Sequence, residues 1–335
     1  MNYRKLGKTD LMVSEVSFGG IPVQRVSFEE AGKVIKKSLE LGINFFDTAR
    51  VYTDSEEKLG KYLADVPRGE IYLATKSLLP SYEGVKKELE KSLRNLKADY
   101  IDLFQIHNIS SDKKLEKVLS EDGALKALQE AQREGKIRYI GITTHKPKIV
   151  LDILRNESLS TVQFPFNIVE PETAEDILPI AKELNLGTII MKPLCGGALR
   201  NNKAALQYIL SYPVSTVIPG MQTVEEVAEN TAASSEKLSE NDLKMLKKEA
   251  AELGTRFCRR CEYCLPCPQG VNIPFNFLMH GYHQNYGLHE WASGIYHSQT
   301  IKASACDKCG TCEEKCPYSL PIREMMEKCQ QIFEN

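Results

Sequence analysis

Eight of the ten cysteines lie in two short runs near the C-terminus. Cys258, Cys261, Cys264 and Cys267 have two residues between neighbours, whereas Cys306, Cys309, Cys312 and Cys316 end with a gap of three; Pro268 and Pro317 follow the runs. The second run has the bacterial ferredoxin spacing, which wraps one backbone loop around a cubane. Tetrahedral zinc draws ligand pairs from separated turns instead. Both runs therefore read as ligands of two 4Fe-4S clusters, with zinc and disulfides as the other uses open to the thiols. In two-cluster ferredoxins the last cysteine of one run ligates the other cluster. That wiring groups Cys258, Cys261 and Cys264 with Cys316, and Cys306, Cys309 and Cys312 with Cys267; an uncrossed arrangement uses the same residues. Such chemistry moves single electrons.

A second set comprises Asp47, Tyr52, Lys76 and His107, each at the C-terminal end of a candidate strand, where barrel enzymes place their reacting groups. From residue 14 to about residue 234, short apolar runs alternate with amphipathic stretches, the pattern of repeated βα units. The candidate strands are 15–18, 44–47, 71–75, 101–106, 139–142, 161–164, 188–191 and 216–218. Between them, 83–96 carries Val85, Leu89, Leu93 and Leu96 at helical spacing. Eight units predict an α/β fold, a (β/α)8 TIM barrel over 1–237. Residues 3–6 and 11–13, around the Gly7-Lys8-Thr9-Asp10 turn, predict a hairpin that plugs the barrel floor. A charged helix with Leu243, Leu246 and Leu253 on one side, stopped by Gly254, predicts a connector over 238–256. Residues 257–335 then form a ferredoxin-like, mainly α-helical iron-sulfur domain, with Phe277, Tyr282, Trp291 and Tyr296 as apolar cover for clusters.

Taken in order, the aspartate, tyrosine, lysine and histidine resemble the tetrad of the aldo-keto reductases. The whole chain resembles the subset of that family with a C-terminal ferredoxin-like domain. The resemblance implies that Tyr52 donates a proton, that His107 orients a carbonyl oxygen, and that Asp47 with Lys76 tunes the tyrosine. The chemistry is coherent by itself: a ketone accepting hydride develops negative charge on oxygen, so a proton donor and a positive field must converge there. An ammonium stabilises a phenolate, and a paired carboxylate keeps that ammonium charged despite burial. Gln163 matches the family's carboxamide-binding glutamine. Ile218-Pro219-Gly220 and Asn230 resemble its phosphate- and adenine-binding segment, where a helix N-terminus suits an anion. The implied cofactor is NADPH or NADH.

Three departures break that pattern. Met191, followed by Lys192, stands where the family often stacks an aromatic ring on nicotinamide. Thr143-Thr144 replaces a Ser-Asn pair that holds the carboxamide. Gln222 and Glu226 stand where many members carry an arginine for the extra phosphate of NADP, and a carboxylate repels that phosphate. Lys192 reads equally as an anion ligand and as a solvated strand-end lysine. The weakened nicotinamide features leave room for a flavin, which would split a hydride pair into the single electrons that cubanes exchange.

Hydrophobic residues are 42% and charged residues 26% of 335, ordinary for a globular chain with a sizeable core. A net charge of −2 supplies no field for nucleic acid, and no apolar stretch is long enough to insert in a membrane. Thiolates in cluster spacing suit a reducing, cytoplasmic setting. The expected protein is an oxidoreductase acting on a small-molecule carbonyl or alcohol, linked through its clusters to a ferredoxin-like electron partner. A redox-sensing binding protein with an inactive barrel and a flavin-linked electron-transfer enzyme are the alternatives.

Overall fold

The computed structural model describes residues 1–260 and 262–335. Cys261, one of the expected cluster ligands, lies outside the described residues. The chain divides into two compact units: Met1–Pro193 with Asn201–Ser239, and Leu194–Arg200 with Glu240–Asn335.

The first unit opens with an antiparallel hairpin, β1 (Tyr3–Lys5) and β2 (Met12–Ser14). Eight parallel strands follow in sequence order: β3 (Phe18–Gly19), β4 (Phe45–Asp47), β5 (Tyr72–Ser77), β6 (Ile101–Ile106), β7 (Ile137–Thr143), β8 (Leu159–Pro165), β9 (Gly187–Met191) and β10 (Thr216–Val217). The sheet closes through single bridges between Val16 and Val217 and between Gly19 and Gly220. Helices α1 (Phe28–Glu40), α2 (Ser55–Leu63), α3 (Tyr82–Leu96), α4 (Asp112–Leu119), α5 (Ala124–Arg133), α6 (Pro147–Val150), α7 (Glu172–Glu183), α8 (Asn202–Leu210) and α9 (Val224–Ala232) connect and follow the strands. This is a TIM-barrel-like α/β architecture with an extra helix in its fourth unit.

Local chemistry explains the helices. In α1 the Ser27 hydroxyl and the Glu30 carboxylate form a reciprocal cap at the start. Val85, Leu89 and Leu96 of α3 face the core, and Lys97, in the left-handed conformation, ends the helix.

Alternate residues of each strand point inward. At the floor, Leu6, Leu11 and Val13 of the hairpin pack with Phe45, Ala74, Leu103, Ile189 and Ile218 in one apolar cluster. Fully burying a leucine there is worth about 2 kcal/mol. Two positions further along β4, β5, β6 and β8, the inward residues become Asp47, Lys76, Gln105 and Gln163, all buried. Gly141 on β7 makes room for them: a Cβ there would lie 3.0 Å from the Gln105 side chain and 2.3 Å from the Thr161 hydroxyl.

The second unit is helical: α10 (Glu240–Gly254), α11 (Ile273–Gln284), α12 (His289–His297), α13 (Thr311–Glu314) and α14 (Ile322–Phe333). Its core gathers Phe277, Met279, Tyr296, Met326, Cys329 and Phe333. Tyr296 stacks on Phe333 at 4.3 Å between ring centroids, and its hydroxyl accepts from the Ala303 N–H at 2.9 Å. Among the described residues no helix is long and apolar enough to cross a membrane.

Candidate active site and cysteine loops

The strand ends deliver the tetrad. Asp47 is the last residue of β4, and the chain beyond it keeps bonding to β5: Thr48 N–H donates to the Ala74 carbonyl at 2.8 Å and Arg50 N–H to the Lys76 carbonyl at 3.0 Å. This edge leads into a turn in which Tyr52 N–H donates to the Ala49 carbonyl at 3.0 Å. His107 follows β6, its N–H donating to the Ser77 carbonyl at 2.9 Å. The Tyr52 and His107 rings meet edge to face, 6.2 Å between centroids. The Lys76 ammonium lies 5.3 Å from the centroid of the Tyr52 ring. The four expected residues are thus brought together.

Behind the tyrosine, Lys76 Nζ donates to Asp47 Oδ2 at 2.5 Å and to the Thr48 carbonyl at 2.6 Å. Burial pushes the Asp47 carboxyl up and the Lys76 ammonium down from their ordinary values, and each partner offsets the other's shift. Gln105 extends the array: its Nε2 donates to Asp47 Oδ1 at 3.1 Å and to Gln163 Oε1 at 2.9 Å.

The His107 ring is polarised by its surroundings. Nδ1 is enclosed and has no hydrogen-bond partner among the described residues. An N–H at Nδ1 would be buried without an acceptor, so the neutral tautomer places its proton on Nε2. Burial, then Lys76, then Lys114 hold the imidazole well below the ordinary histidine value. The result is a neutral donor beside a phenol.

The expected cofactor positions lie around the same barrel end, on β7 to β10 and α9. Thr143 accepts the Asn108 N–H on its hydroxyl at 2.7 Å. Met191 packs against the interior apolar cluster. Lys192 has a left-handed backbone, and its carbonyl accepts from Asn167 at 3.2 Å. Gly220 bridges Gly19. At the start of α9, Thr223 and Glu226 form a capping box; Glu226 Oε2 accepts from the Gln222 N–H at 2.7 Å. Arg25 donates to the Gln222 side chain at 3.1 Å. Asn230 is buried, and its Oδ1 has no partner. Asn230 Oδ1 and the enclosed, unpartnered Gln105 Oε1 are polar atoms that a bound dinucleotide can satisfy, so the barrel end fits such a group.

Gln105, Arg25 and Lys114 were not singled out in the sequence. Gln105 had a signal: it is a neutral polar residue in the apolar strand Ile101–Ile106, in the inward phase of Leu103. Arg25 and Lys114 sit in loop and helix positions where only tertiary structure reveals their direction.

In the second unit, Cys264 and Cys312 are buried, and Cys258, Cys267, Cys306 and Cys316 pack against the same apolar core; Cys309 is exposed. The two runs share backbone geometry. Arg260 and Lys308, each two residues after the first cysteine, have φ of +58° and +61°. Glu262 and Gly310, two further on, have φ of +68° and +83°. Gly270 and Ser319, three residues after the last cysteine, have φ of +73° and +49° and donate to the carbonyls of Cys267 and Cys316 at 2.9 and 3.1 Å. Each run then feeds a helix, α11 or α14. Left-handed residues recurring in a loop create the anion-receiving concavities found at iron-sulfur sites, so the cysteine loops fit clusters. Cys329 differs: it is buried, donates to the Asn276 carbonyl at 3.7 Å, and burial pushes its thiol up to about 12.

Residues 15–205 match the Aldo/keto reductase family model, and residues 257–320 match the model of a 4Fe-4S dicluster domain. Among similar proteins, L-galactose dehydrogenase of Arabidopsis thaliana is 33% identical over 283 residues, covering 70% of this chain and 88% of that enzyme. The uncharacterized oxidoreductase YqkF of Bacillus subtilis (strain 168) is 27% identical over 307 residues, 75% of this chain and 97% of its own. Among solved structures, the holo form of aldo-keto reductase AKR11C1 from Bacillus halodurans superposes with a TM-score of 0.65 at 26% identity, covering 76% of this chain and 96% of that one.

Proposed function

The chain belongs to the aldo/keto reductase family and is an oxidoreductase with a C-terminal 4Fe-4S domain, and from that premise we propose that its barrel interconverts a small-molecule carbonyl and alcohol with NADH, while two 4Fe-4S clusters exchange electrons with a ferredoxin-like partner. The observation that carries the reading is the edge-to-face pairing of Tyr52 with a neutral His107 beside the buried Lys76 and Asp47 pair.

Bound nicotinamide supplies hydride. The chain's own residues handle the oxygen on which charge then develops. His107 Nε2–H donates to that oxygen and fixes its position. The Tyr52 hydroxyl delivers the proton, and the phenolate left behind is favoured by the Lys76 ammonium. Asp47 holds Lys76 in place, and Gln105 holds Asp47 and Gln163 in register. Gln163, Gly220 and Asn230 are the residues that would hold the dinucleotide, with Thr143, Met191 and Lys192 along its path. NADH is preferred because the Gln222 N–H at the start of α9 is already occupied by Glu226, which leaves a negative charge where an extra phosphate would lie.

Cys258, Cys261, Cys264 and Cys316 would hold one cluster and Cys306, Cys309, Cys312 and Cys267 the other; bound clusters supply one-electron transfer. The duplicated loop geometry supports one cluster per run's worth of ligands. Anaerobic protein mixed with NADH, with dithionite as control, tests the coupling by electron paramagnetic resonance. A reduced-cluster signal with NADH is expected when a flavin is supplied to split the hydride pair into single electrons. A signal with dithionite alone, together with NADH-linked carbonyl turnover, would uncouple the clusters from the barrel and leave only the reductase reading.

A further inference from the structure

Lys114 lies in the first turn of α4, its N–H donating to the Ser111 hydroxyl at 3.3 Å. Its side chain does not point along the helix toward a carboxylate. Nζ reaches back to the end of β6 and donates to the carbonyls of His107 at 2.7 Å and Asn108 at 3.1 Å. Two adjacent carbonyls are gathered on one ammonium. The turn they belong to is left-handed at Asn108, with φ of +54°, a conformation that asparagine adopts more readily than other non-glycine residues. Thr143 pins it from the other side, accepting the Asn108 N–H on its hydroxyl at 2.7 Å and the Ile109 N–H on its carbonyl at 2.9 Å.

We propose that Lys114 is a positioning residue for carbonyl reduction, clamping the His107–Asn108 turn so that the ring presents Nε2 to the substrate oxygen, and placing a positive charge beside that ring. The inference rests on the reading that Tyr52 and His107 handle the substrate oxygen. The titratable and charged groups placed against His107 are Tyr52 from the loop after β4, Lys76 from β5 and Lys114 from α4. Asp47 offsets part of the Lys76 charge, whereas the Lys114 ammonium is held by carbonyl oxygens. Burial lowers Lys114 itself to about 8, which leaves it mostly charged at neutral pH and makes its charge the adjustable part of the field at His107. Lys76 cannot play the clamping role, since its ammonium is committed to Asp47 and the Thr48 carbonyl.

Two substitutions separate charge and clamp from mere packing. Lys114→Arg keeps a cation that can hold two carbonyls; Lys114→Met keeps the apolar stem alone. The first readout is the titration of the His107 Cε1 proton by NMR in the full chain, assigned with His107→Asn. Removing a neighbouring positive charge in Lys114→Met is expected to raise the His107 midpoint by about half a unit or more, while Lys114→Arg leaves it in place. The second is turnover: kcat falls about tenfold or more in Lys114→Met from lost orientation and stays within about threefold in Lys114→Arg, with the dissociation constant for NADH unchanged in both. An unchanged His107 midpoint in Lys114→Met, or a kcat within twofold of the parent, overturns the proposal. So does a displaced midpoint in Lys114→Arg, which decides the matter if the methionine variant does not fold. If the parent protein reduces no carbonyl at all, the functional reading fails, while the titration still reports whether Lys114 governs His107.

Discussion

Glu226 folds its carboxylate back onto the backbone N–H of Gln222, 2.7 Å away, at the start of α9. A helix start that would otherwise draw an anion is therefore satisfied from within. The expected outcome is a kcat/KM for NADH at least tenfold above that for NADPH, measured with one carbonyl substrate. Glu226→Gln removes the charge but keeps a hydrogen-bonding side chain, and should narrow the ratio mainly through a lower KM for NADPH.

Tyr52 is the only hydroxyl of the tetrad. Replacing it with phenylalanine keeps the edge-to-face contact with His107 and removes the proton, so kcat should fall by roughly 100- to 10,000-fold. Binding of NADH, followed by fluorescence, should change by less than twofold. Turnover that survives intact would exclude Tyr52 as the donor.

Lys76 and Asp47 form a pair with no measurable access to solvent on the lysine side. Lys76→Met strands a buried carboxyl and should cost about 3–5 kcal/mol in unfolding free energy. The double variant Lys76→Met with Asp47→Leu should recover most of that loss in urea unfolding, because a buried ion pair is stabilising chiefly relative to half of itself. Its turnover should not recover, which would separate the pair's chemistry from its contribution to the core.

His107 sets a pH slope. In the unfolded chain its imidazole takes up a proton near pH 6.5, whereas in the fold burial, Lys76 and Lys114 hold it neutral well below that value. Below about pH 6.5 the unfolded chain binds the extra proton, so stability should decline as pH falls from there toward the folded value. Urea unfolding at pH 5 and pH 7 checks this; His107→Asn should flatten the difference.

For the cysteine loops, the holoprotein is expected to carry about eight iron atoms per chain, four in each cubane. Cys309→Ser removes a ligand from one loop only. Iron analysis should then give roughly half the parent value, with one cluster still reducible by dithionite. Loss of all iron would mean that the two loops fold as a single cooperative unit.

Much of this was legible in the sequence. The inward positions of β4, β5, β6 and β8 follow from alternation once a strand is located, and Asp47 and Lys76 declare themselves as charges in apolar surroundings. Gln105 is quieter, because its importance lies in joining Asp47 to Gln163 across three strands, which no local pattern encodes. Thr223 and Glu226 display the spacing of a capping box in the sequence itself; reading Glu226 only as a phosphate-repelling charge overlooked that its carboxylate has a partner two steps before the helix. The left-handed turns at Arg260 and Lys308 were hidden for a different reason. Neither residue type prefers that conformation, so only the demands of the loop around them select it.

The hairpin that seals the barrel floor also has a timetable. Leu6, Leu11 and Val13 find their neighbours on strands as late as Ile218, roughly 200 residues downstream. At 5–20 residues per second, synthesis separates these partners by about 10–40 s. During that interval the hairpin's apolar side chains hold only part of their final neighbours, and the barrel cannot lock until its last strand arrives to meet them. Nascent chains should accordingly acquire protease resistance late and abruptly, and holding the hairpin occupied by a chaperone should delay maturation of the whole first unit.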